Sequence, residues 1–182
     1  MPTLVQKSLT GLVFAVFAVA FAPAYAIDVA PGELDAVART LGFVDSLQRH
    51  TPIVLDVVYR SGDNDAKLQA QHAAAALTAL SGPRTAAITA VAVSASELAQ
   101  SGRHVDAIFI LTGAGESGKA IADYVHRQRV LSISNDPGCL TAQCCTLMVR
   151  AGARTEIILD TTLAQETGVT FSSVFMMMVK RK

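Results

Sequence analysis

Residues 105–134 read VDAIFILTGAGESGKAIADYVHRQRVLSIS, and this stretch decides the fold. The apolar run 105–111 predicts a strand, residues 116–127 predict a helix, and the run 130–134 predicts a second strand. Short apolar runs on both sides of a helix are typical of a strand–helix–strand unit, whose two strands lie parallel in one sheet. The stretch therefore predicts a largely parallel sheet with helices on its faces.

The same alternation continues toward the N-terminus. Pro31-Gly32 precedes apolar residues at helical spacing, and later Gly and Pro residues separate β-branched runs from alanine-rich ones. The pattern predicts, in order, a helix over 33–49, a strand over 53–59, a helix over 65–80, a strand over 86–93 and a short capped helical turn over 94–98.

The pattern changes toward the C-terminus. Ala151-Gly152-Ala153 separates the apolar runs 145–150 and 156–159, which is typical of an antiparallel hairpin. Residues 161–167 and 172–179 then predict two short helices around Gly168. The sequence thus predicts an α/β fold: a single domain with a mostly parallel sheet flanked by helices and an antiparallel C-terminal hairpin.

The N-terminus has the three parts of a secretory signal peptide. Lys7 is the cation, an apolar run follows it, and Ala24 and Ala26 are the small residues that a signal peptidase requires. The apolar run is about 14 residues, shorter than the roughly 20 that span a bilayer as a helix. We therefore expect residues 1–26 to be removed after about Ala26, leaving an exported domain over 27–182 with no membrane insertion.

Charge and aromatic content exclude several classes of partner. The chain has 15 Lys and Arg against 15 Asp and Glu, so it has no basic field for nucleic acid. Tryptophan is absent and aromatic residues make up 5% of the chain, which leaves few side chains for stacking bases or sugars. We expect no nucleic-acid partner.

A glycine-rich loop, Gly113 to Lys119, follows a predicted strand and precedes a predicted helix. Gly113, Gly118 and Lys119 match most of a phosphate-binding loop, but Ala120 stands where such loops place the hydroxyl that holds magnesium. We expect a flexible turn here. The alternative function is a small-ligand site in which Gly113, Gly115 and Lys119 meet Asn135 and Asp136 at the carboxyl ends of neighbouring strands; a nucleotide-binding loop is a weaker alternative.

Cys139, Cys144 and Cys145 lie in or beside the polar loop 134–138. An exported protein is expected to pair cysteines. If Cys145 faces the core with Leu147 on one side of the strand 145–150, Cys144 faces the loop. This favours Cys139–Cys144 with Cys145 buried and free; Cys139–Cys145 is the close alternative, and a vicinal bridge would be strained.

The sequence does not predict a catalytic or metal site. The histidines are scattered over different elements, and Ser172-Ser173 has no nearby histidine or nucleophile elbow. We predict no catalytic residues, no metal and no cofactor. The apolar stretch 174–178 is a candidate partner surface, because methionine suits adaptable contacts.

Residues 129–138, RVLSISNDPG, and residues 168–174, GVTFSSV, resemble the YfiR family of periplasmic proteins. The resemblance implies a periplasmic regulator that is not an enzyme. The type member represses an inner-membrane diguanylate cyclase by binding its sensor domain, and so restrains cyclic di-GMP signalling, with the disulfide state influencing it. The resemblance also implies that the loop 135–145 is the redox-sensitive element, and it leaves a homodimer open.

Overall fold

The computed structural model describes residues 29–80, 85–152 and 154–182, so the predicted signal peptide over 1–26 lies outside the described residues. The described strands form one seven-stranded sheet in the order β2-β1-β3-β4-β5-β6-β7. Their bounds are β1 Ile53–Tyr59, β2 Ile88–Ser94, β3 Ala107–Ile110, β4 Leu131–Ser134, β5 Leu147–Arg150, β6 Glu156–Leu159 and β7 Lys180–Arg181.

The strands β1 to β5 run parallel, as the sequence predicted. β5 and β6 form the predicted antiparallel pair, with Leu147 opposite Leu159, and β7 pairs parallel with β6. The helices are α1 Pro31–Leu41, α2 Asn64–Ala79, α3 Ala95–Gln100, α4 Gly118–Gln128, α5 Pro137–Thr141, α6 Thr161–Thr167 and α7 Ser173–Met178.

Apolar side chains cover both faces of the sheet, because its parallel strands lie between two layers of helices. In β1, Leu55 and Val57 belong to the cluster under α1 and α2, whereas Val58 belongs to the cluster under α3 and α4. Phe109 and Ile110 divide between the same two clusters in β3. The protein is therefore a three-layer α/β domain.

Several helices begin at a polar side chain that accepts a backbone N–H. Asp63 caps α2 by accepting from Ala66 N at 2.9 Å, and Ser94 with Glu97 forms a capping box at α3. Each such cap stabilises its helix by about 1 kcal/mol. The predicted capped turn at 94–98 is therefore the start of α3.

The first helix is shorter than the predicted range 33–49. It ends at Leu41, and the chain then forms a short 3-10 turn over Asp45–Leu47. Asp45 N donates to Thr170 O, and Ser172 N donates to Phe43 O, both at 2.9 Å. These hydrogen bonds to a distant segment replace the ones that a longer helix would make.

Two further boundaries differ from the prediction. The loop 134–138 continues directly into α5, with Pro137 in its first turn and Asp136 as its cap. The strand predicted over 145–150 begins at Leu147, so Cys145 does not follow its alternation: it packs with Cys139 and Cys144, in the cluster opposite to that of Leu147.

Candidate functional site

The turns after β3 and β4 lie side by side, because these strands are neighbours in the sheet. Asn135 Oδ1 accepts hydrogen bonds from Thr112 N at 2.8 Å and from Thr112 Oγ1 at 3.1 Å. The Nδ2 amide of Asn135 donates to Glu33 Oε2 at 3.0 Å. Both ends of this amide are therefore bonded to the chain itself.

The carboxylate of Asp136 lies against the glycine loop. Its Oδ2 accepts from Gly113 N at 3.0 Å and its Oδ1 accepts from Gly138 N at 2.8 Å. A Cβ atom at Gly115 would lie 2.7 Å from Asp136 Oδ2, so only glycine allows this approach. A carboxylate of the protein therefore sits where a phosphate-binding loop presents its N–H groups to an anion.

Lys119 contacts a different part of the surface. It lies in the first turn of α4 with its side chain 88% exposed, and its Nζ atom pairs with Asp123 Oδ2 at 2.9 Å. Of the five loop residues predicted from the sequence, the structure thus brings four together, namely Gly113, Gly115, Asn135 and Asp136. The bonds from Thr112 to Asn135 and from Gly113 to Asp136 join the two turns to each other.

Glu33 is a polar contact that sequence reasoning missed. Its Oε2 accepts from Asn135 and its Oε1 accepts from Ala151 N at 3.2 Å, so α1 is tied to the segments after β4 and β5. No local pattern signals this role, because the partners lie more than 100 positions away in the chain.

Cys139 and Cys144 form a disulfide bond, the pairing that the sequence favoured, and both are fully buried. Cys145 is a buried free cysteine. Burial, followed by the nearby Asp160 carboxylate, raises the pKa of the Cys145 thiol to about 12. Because the thiolate is the reactive form, Cys145 is a poor nucleophile in the folded protein.

Polar clusters elsewhere join strands to their flanking loops. His50 Nδ1 lies 2.5 Å from Asp106 Oδ1, and His104 Nε2 lies 3.9 Å from the same oxygen, which places together two histidines that the sequence separates. Arg103 pairs with the buried Asp56. Within the described ranges, no group of three His, Cys, Asp or Glu side chains is arranged to hold a metal ion.

Helix α7 presents an apolar surface to solvent. Val174 is 54% exposed, Met177 78% and Met178 61%. We call these three residues the α7 surface. Phe175, on the inner side of the helix, is buried and stacks on Phe43 and Phe171, with ring centroids 5.6 and 5.1 Å apart.

A groove of about 440 Å³ adjoins the α7 surface and separates α7 from α1. Phe175, Met178 and Ile157 are among its apolar lining residues. Asp35 and Arg39 of α1 also line it and form an exposed 2.8 Å ion pair. The groove is therefore mainly apolar with a charged edge. No helix in the described part of the chain combines the length and apolar character needed to cross a membrane.

The fold and these surfaces define a single-domain α/β protein with an exposed apolar helix. The chain belongs to the YfiR/HmsC-like family, whose model matches residues 48–180. Regulation within cyclic di-GMP signalling is the role that this family suggests. No curated protein sequence matches the chain.

Solved structures show the same fold at low sequence identity. A conserved domain protein from Vibrio cholerae is similar with a TM-score of 0.63 and 11% identity, over 85% of this chain and 61% of that one. A domain from Streptococcus pneumoniae solved in complex with L-Trp gives 0.59 and 11%, over 83% and 60%. The chain thus spans about three fifths of the length of each of these structures.

Proposed function

We propose that this protein is exported to the periplasm and acts there by binding an inner-membrane signalling enzyme, a diguanylate cyclase, and repressing it. Membership of the YfiR/HmsC-like family supports a regulatory role. The polar groups of the two turns after β3 and β4 bond to one another, which disfavours a small-ligand site there. The proposal therefore needs a surface that is free to meet a protein.

The observation that carries the proposal is the α7 surface. Three large apolar side chains lie exposed on one short helix, beside a groove large enough for apolar side chains of a partner. Contiguous exposed apolar surface is unfavourable in water and marks interaction sites in soluble proteins. The α7 surface is therefore the proposed contact with the enzyme's sensor domain.

The buried and the exposed side chains of α7 differ in how freely they can move. The stacked rings of Phe43, Phe171 and Phe175 give a firm base beneath α7. Met177 and Met178 are unbranched and adapt to the shape that they meet. An apolar helix of the partner, lying in the groove between α1 and α7, fits this combination.

A matched pair of variants tests the proposal. Val174→Asp places a charge on the α7 surface, whereas Leu68→Asp places the same charge on α2 at a side chain of equal exposure, 53% against 54%. Tagged wild-type protein should capture a diguanylate cyclase from solubilised membranes, Leu68→Asp should capture as much, and Val174→Asp should capture at least tenfold less. Equal capture by both variants would exclude the α7 surface, and failure of the wild-type protein would exclude the function.

Repeating the capture with reductant tests the disulfide. We propose that the bond between Cys139 and Cys144 modulates partner binding, since it fixes α5 against the segment that leads to β5. Loss of capture on reduction is the expected result. Mass spectrometry verifies that both thiols are free after reduction. If capture persists in that reduced protein, the bond only stabilises the fold and does not modulate binding.

A further inference from the structure

The sulfur atoms of this protein differ sharply in their access to solvent. Cys139 and Cys144 are joined in a buried disulfide, and Cys145 is buried with a pKa raised to about 12. Met148, on β5, is 2% exposed. A dissolved oxidant therefore reaches none of these four sulfur atoms in the folded state.

Two of the three methionines of α7 are in the opposite situation, whereas Met176 is half-buried against the core. Met177 is 78% exposed and Met178 is 61% exposed. A thioether needs no deprotonation before it reacts, so access to the oxidant governs its rate of oxidation. Within the described residues, the sulfur atoms open to solvent are thus concentrated on one helix.

We propose that Met177 and Met178 are the primary oxidation site of this protein, and that their conversion to sulfoxides releases the partner from the α7 surface. The second half of this inference rests on the proposed function, and the first half does not. The oxidant is a hydroperoxide, such as hydrogen peroxide. The protein would then respond to an oxidant through methionine sulfur atoms and not through its three cysteines.

The step is a two-electron oxygen transfer. A lone pair of the thioether sulfur attacks one peroxide oxygen, a sulfur–oxygen bond forms and the oxygen–oxygen bond breaks. The departing hydroxide takes up the proton released from the transferred oxygen and leaves as water. The sulfur is oxidised to the sulfoxide and the peroxide is reduced.

Oxidation changes the chemistry of the surface and leaves the core intact. A sulfoxide is a strong hydrogen-bond acceptor, and covering it with an apolar partner removes its water without replacing those bonds. Met178 also lines the groove between α1 and α7, so its sulfoxide lies where the partner would pack. Phe175 holds α7 to the core and has no oxidisable sulfur.

Trypsin separates the two sets of sulfur atoms, because cleavage after Arg129, Arg150, Arg154 and Lys180 gives the peptides 130–150 and 155–180. The first contains the three cysteines and Met148, and the second contains the α7 methionines. The folded, disulfide-bonded protein is exposed to increasing amounts of hydrogen peroxide before digestion. Peptide 155–180 should then gain oxygen at least tenfold faster than peptide 130–150. Equal rates, or oxygen first on Met148 or Cys145, would overturn the site.

The variant Met177→Leu/Met178→Leu tests the consequence, because leucine keeps the surface apolar and cannot be oxidised. Peroxide should lower capture of the membrane enzyme at least tenfold for the wild type, and the variant should be unaffected. Methionine sulfoxide reductase should restore capture by the wild type once its thiol reductant is removed and the Cys139–Cys144 disulfide is formed again. Equal loss in the variant would overturn the release. If neither the wild type nor the variant captures an enzyme before peroxide treatment, the proposed function fails, and the proposed release of the partner fails with it. The peptide mapping still decides the oxidation site in that case.

Discussion

Asp136 joins the turn after β3 to the start of α5 through one carboxylate. Its two oxygens accept from the backbone of Gly113 and of Gly138, and the close approach requires glycine at position 115. The residue types in the two turns were evident in the sequence. That they satisfy one another was not, because this depends on where the strands end.

Asp136→Ala should lower the free energy of unfolding by about 2 kcal/mol, since it leaves two backbone N–H groups without their charged acceptor. Chemical denaturation measures the change. Asp123→Ala is the control: it breaks only the exposed pair with Lys119, which stabilises by less than about 0.5 kcal/mol. Similar losses in both variants would contradict a joining role for Asp136.

Single residues also show where sequence reasoning ends. The pairing of Cys139 with Cys144 was favoured from an assumed strand alternation, yet Cys145 packs on the same side of the sheet as the bridge. The strand begins two residues later than its apolar pattern indicates, because Cys144 N donates to Cys139 O and prolongs the turn. The favoured pairing is present, but the strand alternation from which it was predicted is not.

The three cysteines can be distinguished by their response to reductant. The double variant Cys139→Ala/Cys144→Ala should have a free energy of unfolding about 2 kcal/mol lower than that of the wild type. This is the stabilisation that the chain-entropy model gives for closing so short a loop. Reductant should destabilise the wild type and Cys145→Ala but leave the double variant unchanged. If Cys145→Ala instead loses its response to reductant, Cys145 is part of the bridge in solution.

At the scale of elements, the helix caps make stability depend on pH. The pKa of Asp63 is lowered because its carboxylate accepts the Ala66 N–H and the Arg60 guanidinium. A lowered pKa in the folded state means that the stabilisation is present above the ordinary pKa of aspartate, near 3.9, and is lost as the pH falls through the folded value.

Asp63→Asn should therefore flatten the acid side of the stability curve. Asparagine still caps α2, but its side chain does not titrate, so the free energy of unfolding should fall less between pH 6 and pH 3 than in the wild type. Urea denaturation over this range measures both slopes. Parallel curves would show that Asp63 contributes nothing to the pH dependence.

The elements that the sequence predicted correctly are those whose pattern is local. The β-branched run of β1 and the alanine-rich α2 were both located to within a few residues. The end of α1 was missed because the segment after it bonds to residues 170–172. β7 was missed because two residues, Lys180 and Arg181, carry no strand pattern.

At the scale of the whole molecule, one sheet joins every layer. Because β2 to β7 form a continuous ladder between two helical layers, the described protein should unfold in a single cooperative transition. Far-ultraviolet circular dichroism and the near-ultraviolet signal of the buried Tyr59 and Tyr124 should change at the same denaturant concentration. Two separate midpoints would show that the C-terminal strands form a unit of their own.

The proposed contact was predictable only in outline. Methionine at positions 176–178 suggested an adaptable surface, and the structure leaves Met177 and Met178 exposed. The groove beside them depends on where α1 lies relative to the distant β6 and α7, which no local pattern encodes.

The contacts of Glu33 bear on the order in which the chain can fold. Its acceptors reach Asn135 and Ala151, 102 and 118 positions further along. A chain that emerges from a pore beginning at its N-terminus presents α1 long before these partners are outside. During this time α1 lacks these two contacts. Contacts between residues so far apart in the chain also form slowly. During vectorial emergence, Glu33 therefore does not have both of these hydrogen-bond partners until five strands have followed α1.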